Sequence, residues 1–102
     1  MTVLFNIGLF DKDTKKQELK DEDVFNILAN CFDCTIIKCI GVYTHNDGTK
    51  IIEPSLKVEV YDKRLTECYW IARELLTKLN QESIIISDEN NTKFVTKWEE
   101  SN

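Results

Sequence analysis

Four thiols, one imidazole and a few strand-borne carboxylates are the groups in this chain that could carry reactive chemistry. Cys31-Phe32-Asp33-Cys34 has the two-residue gap common among zinc-thiolate sites, but Cys39 and Cys68 form no second such pair. Cys31 and Cys68 fall on apolar helical stripes, where cysteine packs as a small hydrophobe. The close pair also ends a helix instead of opening one, so it lacks the dipole that favours thiolates. Structural thiols are expected, with no metal and no cofactor. His45 is the single histidine and belongs to a turn, His45-Asn46-Asp47-Gly48; with Tyr43 it is a candidate contact surface. No nucleophile-elbow serine and no glycine-rich phosphate loop occur among only three glycines. Nothing assembles a nucleophile, a base and an oxyanion donor, so no catalytic residue is assigned. In an enzyme of this sequence, Glu53 or His45 would be the acid or base.

The elements that must position these groups follow from periodicity. Residues 3–10 alternate, with Val3, Phe5, Ile7 and Leu9 on one face and Leu4, Asn6, Gly8 and Phe10 on the other, which predicts a strand. A polar loop covers 11–20. Asp21 is the expected N-cap of a helix over 22–32, carried by Val24, Ile27, Leu28 and Cys31. Strands are expected at 35–43 and 50–61 around the turn. In the second of them Ile52, Pro54, Leu56, Val58 and Val60 share one face, and Glu53, Ser55, Lys57 and Glu59 the other. Residues 65–80 read as the strongest helix, with Tyr69 flanking its stripe and Trp70 at the core edge or an interface. A strand at 84–86 and a short last strand at 93–98 complete residues 1–98 as one domain with a polar tail at 99–102.

The order is that of an α+β ferredoxin-like βαββαβ sandwich with an extra C-terminal strand. Both helices then cover one sheet face and leave the other open. That open face is mixed, with Leu4 and Phe10 beside Asn6, Glu53, Ser55 and Lys57. Asn6 and Glu53 become a polar recognition pair if something covers it, and Glu53 otherwise pairs weakly with Lys57. Phe10, Tyr43, Tyr61 and Trp98 are candidate aromatic anchors for a homodimer or higher homo-oligomer.

Composition bounds the partners. The 102 residues are 42% hydrophobic and 30% charged, with 18 acidic against 13 basic side chains and a net charge of −5. Phosphate backbones and anionic membranes are bound through Lys and Arg, so neither nucleic acid nor membrane is expected. Lys57 and Arg64 interrupt the acidic surface and leave room for a small anionic ligand. Reduced thiols and the lack of a basic-then-apolar leader lead to an expected cytoplasmic location.

Asn6-Ile7-Gly8-Leu9, Gly41-Val42-Tyr43-Thr44-His45, Asp47-Gly48-Thr49, Glu53 and Asn80-Gln81-Glu82-Ser83 together resemble a family of short, uncharacterised proteins from low-GC Gram-positive bacteria and their phages. The resemblance spans most of residues 3–87. It implies the same ferredoxin-like fold and adds Gly8 and Glu82 to Tyr43 and Glu53 as positions to probe. The size and acidity are those of phage inhibitors of bacterial immunity, which bind an effector protein or sequester a nucleotide signal. The expected function is therefore a non-enzymatic binding protein, with a small dimeric α/β-barrel-type enzyme as the alternative.

Overall fold

A computed structural model describes residues 2–44 and 47–97. Its elements run β1 (Thr2–Gly8), α1 (Asp21–Ala29), β2 (Cys34–Thr44), β3 (Lys50–Tyr61), α2 (Leu65–Lys78), β4 (Ser83–Ser87) and β5 (Thr92–Thr96). The five strands form one antiparallel sheet in the order β2-β3-β1-β4-β5. This is the ferredoxin-like arrangement with an added edge strand, as the element order predicts.

Register decides which residues meet the helices. Val3, Phe5 and Ile7 pair with Val60, Val58 and Leu56, and Phe5 also pairs with Ile86. All seven are buried against Val24 and Leu28 of α1 and Cys68, Ala72, Leu75 and Leu76 of α2. Phe32 closes the core edge-on against Phe5, with ring centroids 5.2 Å apart. Burying side chains of this size contributes roughly 1.5–3 kcal/mol each before chain entropy is counted.

Several boundaries differ from expectation for identifiable reasons. β1 stops at Gly8: Leu9, next in register opposite Pro54, still donates its N–H to Pro54 O (3.0 Å), but the proline has no N–H to return the bond. Lys20, not Asp21, occupies the N-cap of α1, and no side chain caps it. Asp21 is instead the first helical residue, where its carboxylate accepts from Lys38 Nζ (2.6 Å) and Gln17 Nε2 (2.8 Å). That helix ends at Ala29, so Cys31 and Phe32 continue its apolar stripe from beyond its last turn.

Ile52 departs most. It lies on the helix-side face, as alternation requires, yet it is 66% exposed, because the β2–β3 hairpin extends past the helices. Its neighbours Ile40 and Val42 are exposed with it. Trp70 likewise projects from α2 into solvent, under the Arg73 guanidinium at 5.0 Å, and is not a core-edge residue. Trp98 and His45 lie outside the described residues. No helix among the described residues is long and apolar enough to cross a membrane.

Candidate functional site

The sheet face away from the helices carries a cavity of about 360 Å³. This is within the usual size range for small-molecule sites, and the convergence of a few polar groups on apolar walls is their usual character. Its floor comes from Asn6 and Gly8 of β1, Glu53 of β3 and Ser83 and Ile85 of β4. One wall is Val42, Tyr43, Thr44 and Ile51 from the hairpin, and the other includes Phe94 of β5. The 9–20 loop brings Phe10, Asp11, Lys12 and Lys15 to the mouth, beside Gln81 and Glu82.

A missing side chain makes the floor. Gly8 pairs with Ser55, two residues along β3 from Glu53. A Cβ at position 8 would coincide with Glu53 Oε1 and lie 2.8 Å from its Cδ. The Glu53 carboxylate therefore occupies the space a β1 side chain would fill, and the residue is only 8% exposed. Among the described residues Glu53 is the buried residue that carries a formal charge; Ser55 and Gln81 are the buried neutral polar ones.

Gly41 does the same for Tyr43. The Tyr43 ring lies over Gly41, its hydroxyl 2.5 Å from where a Cβ would stand. That hydroxyl is 3.4 Å from Ser55 Oγ, which donates in turn to the Glu53 carbonyl (3.2 Å). Gln81 fixes the far side by donating from Nε2 to Phe10 O at 2.7 Å.

The mouth is built by a loop with little freedom. Asp11 Oδ1 accepts from the amides of Asp13 (2.8 Å) and Thr14 (3.1 Å). Asn80 Nδ2 donates to Asp11 Oδ2 (3.0 Å) and Asp13 Oδ2 (2.9 Å), while Lys12 N–H donates to Asn80 O (3.0 Å). Asn80, then the Asp13 and Thr14 amides, hold the Asp11 carboxyl below its ordinary value, because each favours the ionised form. Lys15 sits at φ 63°, a left-handed conformation uncommon for lysine, and its N–H donates to Asp11 O (2.9 Å).

Of the residues singled out from sequence, Asn6, Gly8, Tyr43, Glu53 and Glu82 line this one cavity. Lys57 is opposite Asn6 but outside the cavity, and Arg64 precedes α2, where its N–H donates to Glu67 Oε1 (3.0 Å). The expected Glu53–Lys57 pairing gives way to the packing of Glu53 over Gly8, since four strand residues separate the two by about 13 Å. Lys12, Lys15, Ile85 and Phe94 escaped sequence reasoning, and Gln81 entered it only within the family resemblance. Phe94 and Ile85 are cross-strand partners on the open face, a pairing that alternation alone does not reveal.

The thiols stand apart from the cavity. Burial pushes the Cys68 thiol up to about 11 and raises Cys31 and Cys34 as well. Among the described residues no group of three or more His, Cys, Asp or Glu side chains is placed to hold a metal ion.

Fold and site together define a small α+β protein of ferredoxin-like architecture with a ligand-sized cavity on its uncovered sheet face. No protein-family model matches the chain, and no curated protein sequence does. Among solved structures it is similar to a phage SAM lyase in its apo state, with a TM-score of 0.65 and 18% sequence identity over 93% of this chain and 87% of that one. At that identity the likeness shows a shared fold.

Proposed function

We propose that this chain binds S-adenosylmethionine in the open-face cavity and cleaves its sulfonium centre. The observation that carries the reading is the Glu53 carboxylate, held on the floor of a cavity with apolar walls. S-adenosylmethionine presents a sulfonium cation, a planar adenine and an amino-acid end. A desolvated carboxylate attracts the cation far more strongly than one in bulk water. Phe94, Ile85, Phe10 and Tyr43 provide apolar and aromatic surface for the base. The fold shared with a phage SAM lyase supports the same ligand class.

A lyase breaks the carbon–sulfur bond without water or an acceptor. Sulfur leaves as a neutral thioether with the bonding electron pair. The carbon fragment then loses a neighbouring proton or closes on the ligand's own carboxylate. Glu53 holds the cation beforehand and is the base at hand for the proton. This is the enzyme alternative with Glu53, not His45, in the principal role. In a phage protein, as the family resemblance implies, it would remove a nucleoside cofactor from the host cytoplasm and so act on host defence by depletion. The exposed Ile40, Val42 and Ile52 are the apolar surface on which we place self-association into a homo-oligomer.

The test is incubation of purified chain with S-adenosylmethionine, followed by mass spectrometry of the nucleoside, alongside a thermal-shift titration. Thermal stabilisation with release of a methylthio-nucleoside is expected. Stabilisation without turnover would leave a sequestering binding protein, and the absence of both effects would overturn the reading.

A further inference from the structure

We infer that the Asp11–Lys16 loop is a preorganised arm that selects the carboxylate end of the ligand through Lys12 and Lys15. This rests on the cavity being the S-adenosylmethionine site, and it assigns the opposite end of the ligand from Glu53. The cavity is electrostatically divided. Its three lining carboxylates differ in circumstance: Glu53 is buried on the floor, Asp11 is tied into the loop by three donors, and Glu82 is exposed on the rim. Lys12 and Lys15 line the mouth, and among the described residues neither ammonium group forms a salt bridge.

The loop is built to hold them there. Asp11 N–H donates to Lys16 O (2.9 Å) and closes the loop on itself. Asn80 then pins it from the end of α2, through its side chain to Asp11 and Asp13 and its carbonyl to Lys12 N–H. Asn80 itself has φ 47°, so a second residue in left-handed conformation supports the first. A loop whose conformation is fixed before binding loses little entropy when a ligand docks, which is the benefit of preorganisation. A carboxylate on the floor and two ammonium groups at the mouth, there beside the Asp11 and Glu82 carboxylates, give a ligand that carries both charges a partner at each end. They suit a purely cationic nucleoside less well.

The test compares S-adenosylmethionine with its decarboxylated analogue, which keeps the sulfonium and the adenine, by isothermal titration calorimetry. Wild-type chain is expected to prefer the carboxylate-bearing ligand by about tenfold, the value of one screened charge-assisted contact. Lys12→Ala/Lys15→Ala should abolish that preference by weakening S-adenosylmethionine alone, and Lys12→Arg/Lys15→Arg should retain it. Asn80→Ala, which loosens the arm without removing its charges, should reduce the preference as a positioning residue would. Equal wild-type affinity for both ligands, or an equal loss for both in the double alanine variant, overturns the arm while leaving the ligand class standing. If wild-type chain binds neither ligand, the ligand assignment falls, and the arm with it.

Discussion

Gly8→Ala separates the position of the Glu53 carboxylate from its existence. Gly8 is not among the positive-φ glycines, so an alanine fits the β1 backbone. Its Cβ would meet Glu53 Oε1 and Cδ, the flexible end of a side chain, while Gln81 Oε1 at 3.5 Å is in ordinary contact. The backbone can stay and the carboxylate must swing away, by about 2 Å to restore van der Waals separation. The stability terms nearly cancel. Replacing glycine within a strand gains roughly 0.5–1 kcal/mol, and repositioning Glu53 costs about one hydrogen bond, on the order of 1 kcal/mol. The melting temperature should therefore move by less than about 8 °C.

Binding responds differently. Two unit charges at an effective dielectric constant of 20 interact by about 4 kcal/mol at 4 Å and roughly 2.8 kcal/mol at 6 Å, so the displacement should weaken sulfonium binding about tenfold. The assay pairs differential scanning fluorimetry with calorimetric titration of S-adenosylmethionine and its thioether analogue S-adenosylhomocysteine, which lacks the charge. The loss should be confined to the sulfonium. Unchanged S-adenosylmethionine affinity in a stable variant refutes the placement of the cation beside Glu53. A fall in melting temperature well beyond 8 °C refutes the cancellation, because Gly8 would then be serving the fold.

Other expectations follow from the same geometry. Glu53→Gln should bring the affinities for S-adenosylmethionine and the thioether analogue within a few-fold of each other, since the amide keeps shape but loses charge; an undiminished preference in calorimetry would contradict this. Leu75→Ala should cost about 2–5 kcal/mol in urea unfolding, because Leu75 is fully buried between α2 and the sheet. The raised Cys68 thiol gives an alkaline limit. The unfolded thiol ionises near its ordinary value of 9.0 and the folded one only near 11, so the unfolded state releases its proton first. Stability present below pH 9 should fall by on the order of 2 kcal/mol as pH rises through that window, and Cys68→Ala should flatten that part of the unfolding profile. Ile40→Lys with Val42→Lys should lower the solution mass seen by light scattering if the exposed hairpin face is buried between copies.

The fold was largely legible because alternation in β3 is strict from Leu56 to Val60 and the apolar stripe of α2 spans its whole length. What alternation cannot supply is extent. It puts Ile52 on the core side but does not say that the helices end short of it. It lets Cys31 and Phe32 prolong α1, although Phe32 reaches Phe5 from beyond the helix end. The site was half legible. The family resemblance drew attention to Gly8, and a glycine inside a strand is a place where another group can approach the backbone closely. That the approaching group is Glu53 depends on register, and register is a tertiary property. Lys12 and Lys15 read as solvated loop residues because the anchor that holds them, Asn80, is 65 or more positions away in the chain.

The strand order has a consequence for how the molecule comes into being. β1, the earliest of these five strands in chain order, is interior to the sheet, and its neighbour β4 begins only at Ser83. A nascent chain can form the β2–β3 hairpin early and add β1 to it, but the floor of the cavity and the Asn80 anchor wait until α2 and β4 have followed. Binding competence and completion of the sheet thus arrive together. A chain interrupted before β4 would present a hairpin and an open seam along β1, with no pocket between them.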